Sequence, residues 1–316
     1  MSGGEQNIYS GGTGTISTMN GGLQLVENGG SGIVSTLSGG TQMIVDQGSG
    51  TIGTMSGGSQ MISSGGTGTV DIMSGGMQEI VSGTGMISTM NSGLQNIRAG
   101  GTGTVSTLSG GSQSIDSGGT GTVSIMLDGP QNYQIISSGG TGTVDIMSGG
   151  SQNIVSGGAG TINTMIDGYQ TISSGCTGTV SAMNGGWQTI SSGGAGMVST
   201  MDGGRQYIAS GGIGTISSLL GGTQDITGTG GIGTVSTMSG GTQYINYGGM
   251  GTVSTMNGGT QYLADGSGTI GTMNGGKQIV EIFGGIGIID VMISGEQLIN
   301  QNGICLLYTS PSPRDS

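Results

Sequence analysis

The side chains of this chain that carry chemistry stand in columns. A glutamine recurs at Gln6, Gln24, Gln42, Gln60, Gln78, Gln95 and Gln113 and then from Gln134 to Gln297, usually 18 residues apart. A carboxamide both donates and accepts, so amides at a fixed repeat can bond along an axis, and a buried amide has to be paired. We therefore assign Gln6, Gln24, Gln42 and Gln60 a structural role. A second column carries sulfur at Met19, Met55 and Met73, but Leu37, Leu108 and Leu219 stand in the same register. Apolarity is what that position needs, and without histidine a copper or haem role is disfavoured. Serine and threonine are abundant, yet no base is positioned to activate a hydroxyl, so nucleophilic catalysis is not expected.

The acidic residues form no column. Asp46, Asp71, Asp116 and Asp128 fall at different registers, so neither a calcium ladder nor a carboxylate pair at fixed offset emerges. The glycine-rich segments resemble calcium-binding nonapeptides only in spacing, because Thr or Gln stands where the ligating Asp would be. Glycines around Lys277 run into a strand pattern, which excludes a phosphate loop. No cofactor is expected. Four basic residues against sixteen acidic ones give a net charge of −12, which repels nucleic acid and anionic lipid.

What positions these columns is the repeat itself. Units begin at Met1, Met19, Leu37, Met55 and onward, giving about sixteen full units and a fragment. Each unit is two halves of the form GGxxx[IV], too short for a helix and punctuated by glycine pairs, which favours short strands between tight turns. The 78 glycines follow from two such turns per coil, and three prolines with no three-residue period exclude collagen. The expected fold is all-β, a β-solenoid of about 16 coils with an 18-residue repeat. Ile8, Val26, Ile44 and Ile62 form one inward ladder, and Ile16, Val34, Ile52 and Val70 another. Met19, Leu37, Met55 and Met73 form a third, of the wrong parity for a flat strand, which predicts a bend. Ser17, Ser35, Ser106 and Ser124 point to water. The insertion near Pro130 to Tyr133 reads as a bulge or corner loop. At roughly 4.8 Å per coil, sixteen coils would make a rod of about 75 Å.

Residues 1–304 carry the repeat, and Met1 is in register with the Met column, which suggests an internal piece of a longer passenger. Cys305 to Ser316, CLLYTSPSPRDS, resembles an in-frame translation of a transposase adapter and is expected to be a non-native, unstructured tail. Bare sheet edges at truncated ends would favour end-to-end association. Cys176 and Cys305 make no disulfide framework or metal spacing. A single Phe283 and a single Trp187 rule out an aromatic-packed globular core. No apolar stretch reaches the roughly 18 residues of a membrane span, so direct insertion is not expected.

The alternation of SGGTQYI, Ser239 to Ile245, with SGGTGTVDI, Ser64 to Ile72, resembles the AIDA-type strand-loop-strand repeat of bacterial autotransporter passengers. The resemblance implies a right-handed β-helix displayed outside a Gram-negative-type cell through a leader and an outer-membrane barrel absent here. It implies a non-enzymatic adhesin that mediates adhesion, autoaggregation or biofilm formation by binding host or bacterial surface receptors or glycans and like passengers. It also implies O-glycosylation, for which Ser17, Ser35, Ser106, Ser124, Ser181, Ser199 and Ser254 are the candidate acceptors. An alternative is an ice-binding or purely structural solenoid, because Thr-Gly-Thr recurs at Thr13/Thr15, Thr67/Thr69, Thr102/Thr104, Thr120/Thr122, Thr141/Thr143 and Thr177/Thr179, though Ile33, Met86, Met197 and Ile288 break the array. A polysaccharide lyase is disfavoured, since the one sizeable insertion is uncharged apart from Asp128.

Overall fold

The computed structural model of the protein describes residues 1–281, 284–300 and 303–307. The described residues form strands, turns and bends and contain no helix. Two compact units, Met1–Asn163 and Thr164–Ser316, divide the chain.

In the first unit each coil has a seven-residue strand, such as Thr13–Met19, Ser31–Leu37 and Ser49–Met55, and a four- or five-residue strand, such as Leu23–Val26, Thr41–Ile44 and Ser59–Ser63. Every described pairing is parallel and joins equivalent residues of successive coils: Ile16 to Val34, Val34 to Ile52, Val26 to Ile44. This is the β-solenoid that the 18-residue period predicts. Two long strands, Thr67–Val81 and Thr84–Arg98, run through the corner, with register shifts between Met73 and Met77.

The core follows from which side chains point inward. Val26, Ile44, Val34, Ile52, Met19, Leu37, Met55, Val70 and Met73 have no solvent exposure, and Ile8, Ile16 and Ile62 almost none. Each such burial contributes on the order of 1.5–3 kcal/mol before chain entropy is counted. Met joins this core through a bend. Ser17 and Thr18 both face outward, the register skips Ser17 and resumes at Thr18 opposite Thr36, and Met19 comes back inside.

A further inward column belongs to glycine. Gly14, Gly32, Gly50 and Gly68 sit mid-strand and buried, not in turns. A Cβ at Gly50 would strike the Ile44 side chain and come within 2.8 Å of the Gln42 amide oxygen. The Gly of each Thr-Gly-Thr therefore makes room for the Gln and Ile of the facing strand.

The corner after each short strand shows how glycine and its neighbours turn the chain. In the first unit Asn28 and Gly29 both have positive φ, 52° and 76°, and Gly30 donates to the Glu27 carbonyl at 3.0 Å. Ser64 and Gly65 repeat this at 50° and 77°. Two positive φ values define a type I′ turn, so left-handed backbone is not confined to glycine here. At Asp46 and Gln47 both positions are non-glycine, at 49° and 64°, a strain of about 1–2 kcal/mol per residue.

The second unit stacks in the same way: Ile190 faces Ile208, Val235 faces Val253, and Met183, Met201 and Leu219 are fully buried. Some of its corners differ. In Ser191-Ser192-Gly193-Gly194 only Gly193 has positive φ, 74°, and Gly193 donates to the Gly211 carbonyl of the next coil at 2.9 Å. Strand pairing extends beyond Ile304, the expected end of the repeat, because Ile304–Leu307 pairs with Ile286–Met292, Cys305 opposite Gly287. The rest of the adapter-like tail, residues 308–316, and Phe283 lie outside the described residues.

Candidate interaction surface

The interior holds polar chemistry that is already satisfied. In the first unit Gln24 Nε2 donates to Gln6 Oε1, Gln42 to Gln24 and Gln60 to Gln42, each at 2.7 Å. The same amides reach the carbonyls of the inward glycines, Gln42 to Gly32 at 3.2 Å and Gln60 to Gly50 at 3.4 Å. In the second unit the chain of amides runs from Gln170 to Gln297 in 2.6–2.7 Å steps. Between the half-exposed ends Gln6 and Gln297 these amides are sealed from solvent, so they hold coils in register and offer nothing to a ligand.

The insertion also turns inward. Asn132 is buried and donates to the Leu127 carbonyl at 2.8 Å, and Tyr133 Oη donates to the Pro130 carbonyl at 2.9 Å. Gln134 still bonds to Gln113 at 2.7 Å, so the extra residues bulge as a corner loop without breaking the ladder. Among the described residues no group of three or more His, Cys, Asp or Glu side chains could hold a metal, and no helix is long and apolar enough to cross a membrane.

What can meet a partner is the outer surface, which has two broad faces. The face of the long strands carries hydroxyls: Thr102, Thr120 and Thr141 form one exposed column, and Thr104, Thr122 and Thr143 the next, half-exposed. The candidate acceptor serines stand at the bend of these strands, with Ser17, Ser35, Ser106, Ser181 and Ser254 exposed and Ser124 and Ser199 half-exposed. A second serine column, which the sequence reading did not single out, lies at the corners: Ser64, Ser82, Ser117, Ser138 and Ser156 in the first unit, Ser174, Ser192 and Ser210 in the second, all exposed.

The face of the short strands breaks the repetition. In the first unit it carries Leu25, Met43, Met61, Met77 and Leu94 on either side of the buried glutamines. In the second unit the same positions hold five of the chain's ten aromatic residues. Tyr169 and Trp187 pair across adjacent coils and are 54% and 41% exposed. The Arg205 guanidinium lies over the Trp187 ring at 5.0 Å and over the Tyr207 ring at 5.7 Å, and pairs with the nearly buried Asp225 carboxylate. Two coils on, Tyr244 and Tyr262 stack with ring centroids 5.1 Å apart and planes 12° from parallel. Burial, and then the hydrogen bond and charge of Glu281, push the Tyr262 phenol up to about 12. In the sequence Trp187 stands out only by its rarity. The signal was there in the residues flanking each ladder glutamine, Tyr169 and Trp187 before it and Tyr207, Tyr244 and Tyr262 after it.

No family model matches this chain, and no curated protein does either. Among solved structures, the chain is similar to the crystal structure of a TibC-catalyzed hyper-glycosylated TibA55-350 fragment, with 27% identity and a TM-score of 0.56 over 80% of this chain and 90% of that one. That likeness fits the β-solenoid passenger that the repeat resemblance implies.

Proposed function

We propose that the protein is an adhesin-like passenger segment, displayed at a cell surface, that works by presenting repeated surface and not by catalysis. The observation that carries this reading is a hydrogen-bonded glutamine ladder and aliphatic core beneath a long-strand face whose hydroxyls repeat from coil to coil, in a fold similar to that of a hyper-glycosylated TibA fragment. Many weak patches on one scaffold raise apparent affinity through effective concentration. Receptors or glycans on other cells, and like passengers on neighbouring cells, are the partners this arrangement suits. Cells that do not otherwise aggregate should clump or attach to a surface when they display the chain. Display without either effect contradicts the reading.

By analogy with the neighbour's glycosylation, the outward serines are the proposed acceptors. Intact mass from the native host should show added sugar. Site mapping then separates the strand-bend column, headed by Ser17 and Ser35, from the corner column, headed by Ser64. A second reading, ice binding, draws on the threonines at 102/104, 120/122 and 141/143, which stand in register on three successive coils. Measurable thermal hysteresis would favour it.

A further inference from the structure

We propose that the short-strand face of the second unit is a binding platform for an uncharged polysaccharide chain, centred on Trp187, Arg205, Tyr207 and the Tyr244–Tyr262 pair. This narrows the adhesive reading to a ligand class and rests on that reading only for its biological use. The aromatic residues from Tyr169 to Tyr262 stand on every coil but one, in two neighbouring columns that flank the buried glutamines: Tyr169 and Trp187 in one, Tyr207, Tyr244 and Tyr262 in the other. At about 4.8 Å per strand spacing they extend over about 24 Å, long enough for several linked pyranoses and too long for a single sugar.

The chemistry of the cluster selects the ligand. A pyranose has an apolar face of C–H bonds that packs on an aromatic ring, and hydroxyls at its rim that need donors and acceptors. Trp187 and Tyr169 supply exposed ring surface. Arg205 supplies a planar, partly exposed donor, held in place by the nearly buried Asp225 carboxylate and by the Trp187 and Tyr207 rings. Such pre-organised groups lose little side-chain entropy on binding.

Charge sets the class within sugars. Asp225 already compensates Arg205, Lys277 pairs with Glu296 at 3.0 Å, and the chain carries −12 overall. Among the described residues of this face a uronic or sialic acid polymer would find no free cation, and a second copy of the chain would meet like charge. A neutral glycan meets neither obstacle.

Trp187 is the chain's single tryptophan, so its fluorescence reports the platform directly. The full chain is titrated with cellohexaose, laminarihexaose, mannohexaose and chitohexaose, with glucose and hexagalacturonate as controls. At least one neutral hexasaccharide should shift Trp187 emission saturably, glucose at equal concentration should not, and hexagalacturonate should bind more weakly. Tyr244→Ala and Arg205→Ala should each weaken binding about tenfold, the loss expected of a central contact. Thr215→Ala on the other face should leave it unchanged. Circular dichroism on each variant separates lost binding from lost folding. Absence of any neutral-glycan response at millimolar concentration, or preference for hexagalacturonate, overturns the proposal. An emission shift with protein concentration, accompanied by dimers in sedimentation, overturns it in favour of a second copy. Should the displayed chain clump cells while the purified chain binds no glycan, this platform falls and the adhesive reading stands. Binding without clumping or attachment gives the reverse.

Discussion

The two units share an interior and differ at their surface. Inside both, Ile or Val, Met or Leu, Gln and a mid-strand Gly recur coil after coil, and the Gln amides bond in sequence at 2.6–2.7 Å. Outside, the short-strand face of the first unit mixes Met and Leu with Ser, Asn and Glu and has one aromatic residue, Tyr133, whereas that of the second carries Tyr169, Trp187, Tyr207, Tyr244 and Tyr262. The corners vary within both units. Ser63-Ser64-Gly65-Gly66 and Ser191-Ser192-Gly193-Gly194 are the same tetrapeptide, yet Ser64 takes positive φ and Ser192 does not. Stacking therefore constrains what points inward and leaves the outside free to vary, which is what a display scaffold requires.

Substitutions can break or sharpen this contrast between inside and outside. The largest effect belongs to Gln60→Leu. It removes the partner of Gln78 and of Gln42 at once and leaves two buried amides short of a bond, at roughly 1–3 kcal/mol each. Because a solenoid melts locally, the loss should show as faster hydrogen exchange in the coils on either side before any change elsewhere. Gly50→Ala comes next. Its methyl collides with Ile44 and crowds Gln42, for about 2 kcal/mol of overpacking read from urea unfolding. Gln47→Gly should act in the opposite sense, stabilising by about 1 kcal/mol, because it relieves left-handed backbone at a side chain ill suited to it. Outward changes such as Met43→Thr should stay within about 0.5 kcal/mol. An outward substitution as costly as Gly50→Ala would erase the contrast.

The Tyr262 phenol gives a pH test confined to the second unit. Its folded value, about 12, lies above the ordinary 10.0, so the proton it holds stabilises the fold fully below about pH 10. That contribution is lost as pH rises through about 12. A phenol titrating near pH 12 in ultraviolet difference spectra should vanish in Tyr262→Phe.

Much of the fold was legible because stacking writes itself into the sequence as a period. The Gln, Ile, Val and Met columns could be read directly, and the parity of Met19 against Ile16 already called for the bend at Ser17. The inward glycine was not legible. In Thr-Gly-Thr it looks like part of a turn, and only the facing Ile44 and Gln42 show why no side chain fits. Turn type was not legible either, since identical tetrapeptides turn differently although both bond to the next coil in the same way, Gly65 to the Ser82 carbonyl and Gly193 to the Gly211 carbonyl. The aromatic platform escaped a reading based on repetition because it consists of departures from the repeat.

The account depends on coils stacked in register at an 18-residue offset, and thiol cross-linking tests that most directly. In a background with Cys176→Ser and Cys305→Ser, Thr102→Cys is combined with Thr120→Cys, its partner across coils, or with Thr122→Cys, two residues off. The in-register pair, with Cα atoms about 4.8 Å apart, should bridge rapidly with a short bis-methanethiosulfonate, each thiolate displacing a methanesulfinate, and the offset pair should not. Faster bridging of the offset pair, or none in either, would contradict the stacking on which every other claim stands.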